Sequence, residues 1–214
     1  MPLMKQLWAP IAAMIVVVAT LATAEWVRAE TESDGTATVE KPAAPADKRP
    51  VELSPQVIEL VKDQLTLSVP GEWPAVKPGN RIIKHEFSIP PAGGNEAAGR
   101  MTIMSAGGSI DANIARWVGQ FRTPDGQPLG DEEKKIEKKK FGIHEVHLVD
   151  LSGEFQDQPR GPFGPKVARP DYRMLAAIIP VEKNGTWFVK LYGPKQTIRK
   201  AYKQFQAMIG KSID

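Results

Sequence analysis

The run from Lys134 to Phe155 constrains this chain more than any other stretch. Polar and apolar residues alternate through it, with a single break at Gly142. Ile143, Glu145, His147, Val149 and Leu151 fall on one face, and His144, Val146, Leu148 and Asp150 on the other, which is the period of a strand and not of a helix. Lys134–Phe141 and His144–Phe155 therefore read as two strands about a tight link. A tight link between neighbouring strands makes an antiparallel pair, since a parallel pair needs a long crossover.

The same reading extends in both directions. Leu65, Leu67 and Val69 alternate with Thr66 and Ser68, and the strand they predict stops at Pro70-Gly71. Arg81–Ile89 and Arg100–Met104 are predicted strands on either side of the Gly93-Gly94 loop. Tyr172–Ile179 and Thr186–Tyr192 flank Asn184-Gly185, a tight-turn dipeptide, and Gly193-Pro194 ends the second of them. Residues 156–171, with four prolines and two glycines, are expected to be a loop.

Three segments have the helical period instead. Ser54-Pro55 looks like an N-cap followed by proline at the first helical position, and Val57, Ile58 and Val61 fit one face. Ser109 caps a stronger candidate, in which Ile110, Ile114, Trp117 and Phe121 form one apolar stripe. The last helix places Ile198, Ala201, Tyr202, Phe205, Met208 and Ile209 on one side. Hairpins outnumber crossovers, no segment repeats, and no glycine-rich phosphate loop is present. The fold class expected is α+β, a mainly antiparallel sheet packed between helices.

The chain begins differently. Lys5 precedes an apolar run, Ile11–Ala22, and Ala22-Thr23-Ala24 stands before Glu25. Cation, apolar core and small-residue site in that order predict a secretory signal over residues 1–24 and an exported, periplasmic or extracellular protein. The alternative is one uncleaved span anchoring the domain to the inner membrane, since Gln6–Ala24 carries no charge over nearly the length a bilayer needs. Residues 25–53 are rich in Glu, Thr, Ala, Pro and Lys and are expected to be a disordered polar linker. Residues 54–214 form the domain, which at about 160 residues buries roughly 70% of its unfolded surface.

Composition narrows the chemistry. With no cysteine among 214 residues, disulfides, thiolate metal sites, thiol nucleophiles and a lipidated N-terminal cysteine are all excluded. The net charge of +3 is uneven, because residues 25–52 hold seven acids and four bases, leaving the domain more basic than the whole. Lys195, Arg199 and Lys203 follow one another along the last helix. They read as a solvated face, and export removes nucleic acid from the expected partners.

Other motifs read structurally. His144 and His147 are three apart on a strand, so their rings point to opposite faces and share no metal; His85 lies two strands earlier. Asp131, Glu132, Glu133 and Glu137 stand among Lys134, Lys135, Lys138, Lys139 and Lys140, a pattern of solvated charge protecting a sheet edge. Ser152-Gly153 lacks the surroundings of a nucleophile elbow, and Gly153 suggests a bulge. Asn113, Arg116, Trp117 and Gln120, on or beside the Ser109-capped helix, are the candidate partner-binding residues. The competing reading makes Trp117 core and its polar neighbours solvated. No catalytic set, metal or cofactor is predicted, and the oligomeric state is open.

Leu67-Ser68-Val69-Pro70-Gly71-Glu72-Trp73 resembles the strand-to-tryptophan entry of PsbP-like domains. Trp187-Phe188-Val189-Lys190-Leu191-Tyr192-Gly193-Pro194, with a following helix that carries Phe205, resembles their closing hairpin and C-terminal helix. The family includes the extrinsic subunit of photosystem II and a Ran-GTPase-binding protein. Asn113-Ile114-Ala115-Arg116-Trp117-Val118-Gly119-Gln120-Phe121 is more similar to uncharacterised exported bacterial proteins. The resemblance covers most of residues 65–210 and implies an antiparallel sheet sandwiched between helices, in proteins that bind partners or stabilise assemblies. The function expected is an exported, non-enzymatic binding or assembly module for a protein or polymer of the cell envelope. The alternatives are an envelope hydrolase or ligand-processing enzyme, and a membrane-anchored protein touching anionic lipid or polymer.

Overall fold

The computed structural model describes residues 53–94, 97–159, 161 and 164–211. The expected signal and nearly all of the expected linker lie outside the described residues. Among the described residues no helix is long and apolar enough to cross a membrane.

The strands are β1 (Gln56–Val61), β2 (Leu65–Val69), β3 (Ala75–Val76), β4 (His85–Ile89), β5 (Gly99–Ala106), β6 (Phe121–Arg122), β7 (Lys134–Phe141), β8 (His144–Asp157), β9 (Val167–Val181) and β10 (Gly185–Pro194). The helices are α1 (Ile110–Val118), between β5 and β6, and α2 (Lys195–Lys211), after β10. An eight-stranded sheet runs β3-β4-β5-β10-β9-β8-β6, with β7 also paired to β8, and β1 and β2 form a separate hairpin. Every pairing is antiparallel. The protein is thus α+β and mainly antiparallel sheet.

Alternation along the central strands divides the core. On one face Met101, Ile103, Leu175, Ala177, Val189 and Leu191 meet Leu65, Leu67 and Val69 of the hairpin and Ile198, Ala201 and Phe205 of α2. On the other, Val149, Leu151, Met174, Ala176, Ile178 and Phe188 meet Ile114 and Trp117 of α1. Five apolar side chains of α2 are 3% exposed or less, and each contributes roughly 1.5–3 kcal/mol, the small Ala201 less. The Trp117 ring stands edge-on to Phe188, 5.8 Å between centroids.

Five expectations are corrected. The segment after Ser54 is strand β1, not a helix. Its β-branched Val57, Ile58 and Val61 suit a pleated surface, and pairing Ile58 with Leu67 and Val57 with Ser68 satisfies its backbone through β2. The second expected strand begins at His85 rather than Arg81, because the Asn80 carboxamide oxygen accepts from the amides of Ile82 and Ile83 and holds a turn there. Phe121 is fully buried, as its place in the stripe implied, but it sits in β6 opposite Phe155, since α1 ends at Gly119.

The expected 156–171 loop is shorter, because β8 continues to Asp157 and β9 starts at Val167. Pro170, which has no amide to donate, fits inside β9 because the ladder shifts register between Gly153 and Phe155. That shift is the bulge expected at Gly153. The β9–β10 link is three residues, 182–184, rather than two: Lys183 takes φ 63° and Gly185, already in β10, takes φ 80°.

Candidate functional site

Helix α1 is nine residues long and covers only part of its face of the sheet. The strand register puts a polar group beside it. Glu86 pairs with Thr102, Thr102 with Lys190, and Arg100 with both Ser88 and Tyr192, so Glu86, Arg100, Thr102, Lys190 and Tyr192 share the α1 face. The Glu86 carboxylate accepts two bonds from the Arg100 guanidinium, at 2.7 and 3.0 Å, and one from the Gly79 amide at 2.9 Å. Arg100 also donates to the Tyr192 hydroxyl at 2.6 Å. The Arg100 bonds hold the Glu86 carboxyl below the usual carboxylate range, and burial pushes the Tyr192 phenol up.

Lys190 stands at the centre of this group. Its Nζ donates to Gln120 Oε1 at 3.0 Å and lies 5.0 Å from the Tyr192 ring centroid, 5.4 Å from Phe155 and 5.9 Å from Trp117. It makes no ion pair among the described residues. Burial first, then Arg116 and Arg100, push the amine from 10.5 down to about 7, against the attraction of three ring faces for the ammonium and a favourable Asp157. Lysine is rarely buried without a paired acid, so this arrangement costs stability.

The four candidate residues of the α1 region all touch this centre or its supports. Gln120 bonds Lys190, Trp117 provides one wall, and the exposed Arg116 adds positive charge beside the amine. Asn113 is buried. Its amide donates to the Ser109 carbonyl at 2.9 Å, and its Oδ1 accepts from Arg116 at 2.5 Å. Asn113 and Trp117 are therefore set into the structure, Gln120 is half-buried against Lys190, and Arg116 is the exposed member of the set. Ser109 caps α1 as expected, accepting from the Ala112 amide at 3.1 Å.

Lys190, Arg100, Glu86 and Tyr192 escaped sequence reasoning. One signal was present: a lone lysine within the apolar run of Trp187-Phe188-Val189-Lys190-Leu191, in a strand flanked on both sides.

The remaining motifs are dispersed. The His144 ring nitrogens face the carbonyls of Pro180 and Gln64, each at 3.2 Å, and so brace β9 against the β1–β2 turn. His147 lies on the opposite face, 3.7 Å from the Glu145 carboxylate. The half-buried His85 is shifted down by burial and by Lys84. No group of three or more metal-binding side chains occurs among the described residues. Lys135 and Lys139 both pair with Glu137, Lys138 with Glu145 and Lys134 with Asp131, so β7 presents mixed charge with lysine in excess. Ser152 is a strand residue whose amide bonds the Glu133 carbonyl. Lys195, Arg199 and Lys203 are exposed on α2.

A concavity of about 220 Å³ lies elsewhere, between β7–β8 and α2. Leu148, Leu175, Phe205 and Ile209 are among its apolar lining residues, and Lys135, Glu137, Lys139 and Asp150 among its charged ones. Arg173 closes on Asp150 through two bonds, at 2.8 and 2.6 Å, while lying 5.0 Å from the Tyr202 ring centroid.

No family model matches the chain, and no curated protein matches it. Among solved structures it is similar to PA94, a protein of unknown function from Pseudomonas aeruginosa. The two are 13% identical with a TM-score of 0.38, over 75% of this chain and 97% of that one.

Proposed function

We propose that this protein is an exported, non-enzymatic binding or assembly module on a PsbP-like scaffold, and that it takes an acidic group of an envelope protein or polymer at the Lys190 centre. One observation carries the reading: the Lys190 amine is held against Gln120 just past the end of α1, Arg116 and Arg100 both disfavour its charge, and it has no carboxylate partner among the described residues. Positive groups held together, with the two nearby carboxylates Glu86 and Asp157 already paired to Arg100 and Arg169, make a site that an anion stabilises. Arg116 adds the exposed guanidinium that can grip a carboxylate or phosphate in a fork. Export is supported by the order of charge, apolar run and small residues over 1–24.

The test is capture from envelope extract by the immobilised full chain, beside Arg116→Glu and Gln120→Ala variants. Wild type is expected to retain a specific acidic protein or polymer that Arg116→Glu loses and that raised salt releases. Equal retention by wild type and Arg116→Glu, or none by either, would refute the reading.

A further inference from the structure

We propose that the Lys190 amine is a covalent capture point, forming a reversible imine with an acid that also bears an aldehyde or ketone. This rests on the reading of the Lys190 centre as an acid-binding site and names the ligand class it would take.

The surroundings of Lys190 supply the conditions that make an amine a nucleophile. A lysine becomes a nucleophile when it is desolvated or set beside another cation, so that its lone pair is free near neutrality. Lys190 meets both conditions: its amine lies among the rings of Trp117, Phe155 and Tyr192, and Arg116 and Arg100 add positive charge that disfavours the ammonium. With no carboxylate in contact, nothing holds it permanently as an ammonium. Gln120 Oε1 takes one N–H at 3.0 Å and so fixes the direction of the amine. Arg116 has a single described hydrogen-bond partner, Asn113, which leaves donors for the acid group. Arg100 spends three of its five N–H donors on Glu86 and Tyr192, which pin it as fixed positive charge.

The step balances without any further reagent. The neutral Nζ adds its lone pair to the carbonyl carbon, a proton passes from nitrogen to the new alkoxide, and a carbinolamine results. Loss of that hydroxyl as water leaves the C=N bond. One water is released for each imine formed, and its return regenerates amine and carbonyl. No group is oxidised or reduced.

The probe is glyoxylate with the full chain at neutral pH, cyanoborohydride fixing any imine as a secondary amine, and the labelled lysines read by peptide mass spectrometry. Formaldehyde, which carries no acid group, is the parallel probe. Lys190 is expected to label about tenfold or more faster than the exposed Lys138 and Lys203. Arg116→Ala should slow glyoxylate about tenfold more than formaldehyde, whose rate changes only through the loss of one cation beside the amine. Lys190 labelling no faster than Lys138, in chain shown to be folded by circular dichroism, would overturn the proposal. Equal slowing of both probes in Arg116→Ala would overturn recognition of the acid group. Selective labelling without any envelope partner overturns the macromolecular reading alone, and a partner without labelling overturns the imine alone.

Discussion

Gln120 Oε1 accepts a hydrogen bond from Lys190 Nζ across 3.0 Å, joining the end of α1 to the middle of the sheet. The two residues are 70 apart in sequence. Gln120 lies just past the helix end at Gly119, and Lys190 lies midway along β10. The bond places a cation where the α1-covered core stops and the polar part of the same face begins. A short helix on a wide sheet makes such a boundary unavoidable, and here a charged side chain sits on it.

Stability should therefore depend on pH through Lys190. Its amine titrates near 7 in the folded protein and near 10.5 unfolded, so between these values the unfolded chain binds more protons and stability rises with pH. Below about 7 both states are charged and the full cost of burial is present; above about 10.5 it is gone. At about 1.4 kcal/mol per unit the gain is several kcal/mol, about 5 at most. Lys190→Met should be more stable than wild type near neutrality, and the difference should shrink as pH rises to 10. Urea denaturation of both proteins across that range measures it, and parallel curves would contradict the assignment.

Glu86 works in the opposite sense. Its carboxyl is held below its ordinary 4.5 by Arg100. The bonded pair therefore stabilises the fold fully above that value, and the contribution is lost as pH falls through the lower, folded one. Glu86→Gln should cost about 1.5 kcal/mol at neutral pH, the low end for a bond to a charged group because the Arg100 side chain is 39% exposed. The variant's Tm should also fall less than wild type's between pH 6 and 3. An unchanged acid limb would show that the pair does not stabilise the fold.

The parts of this fold legible in sequence were those governed by period. The strands through Val149, Leu175 and Val189, the Ser109 cap and the apolar side of α2 all follow from spacing. The misread segments were decided by pairing. Val57, Ile58 and Val61 satisfy a helical template as well as a strand one, and only the ladder to β2 chooses between them. The Lys190 group was half visible. Arg116, Trp117 and Gln120 lie in one local segment, whereas Glu86, Arg100 and Lys190 meet them only through the order β4-β5-β10, which no local pattern encodes. Pro170 reads as a breaker because what excuses it is the pairing of β9 with β8, where Pro170 and Asp171 together stand opposite Glu154.

Trp187 tests the cost of an unpaired donor. Its indole Nε1 is buried without a hydrogen-bond partner among the described residues, although the ring is only 9% exposed and packs in the core. An unsatisfied buried donor costs about 1–3 kcal/mol. Trp187→Phe removes that donor and some volume, so the two effects should offset and leave stability within about 1 kcal/mol of wild type. Phe188→Ala, on the opposite face and 1% exposed, should lose about 3–5 kcal/mol. Chemical denaturation of the two variants separates these outcomes, and a loss at Trp187→Phe as large as at Phe188→Ala would mean the indole nitrogen costs nothing.

Gly153 should be the least replaceable glycine tested against its neighbours in sequence. It adopts φ 151°, and a Cβ there would collide with the Arg122 carbonyl oxygen of β6 and stand 3.1 Å from a Leu129 methyl. The carbonyl is backbone and cannot swing aside, so relief requires β6 to leave β8, and with it the burial of Phe121 against Phe155. Gly126 provides the comparison, because it has φ 82° but open space around it. Gly126→Ala should cost about 1–2 kcal/mol, from backbone strain alone. Gly153→Ala adds a steric clash to strain of about 1–3 kcal/mol and should exceed it clearly. Thermal unfolding ranks the pair, and amide exchange in the Gly153 variant should show protection lost first at Phe121 and Arg122. Equal destabilisation by the two substitutions would mean that β6 yields freely and that its close approach to Gly153 is not what selects glycine there.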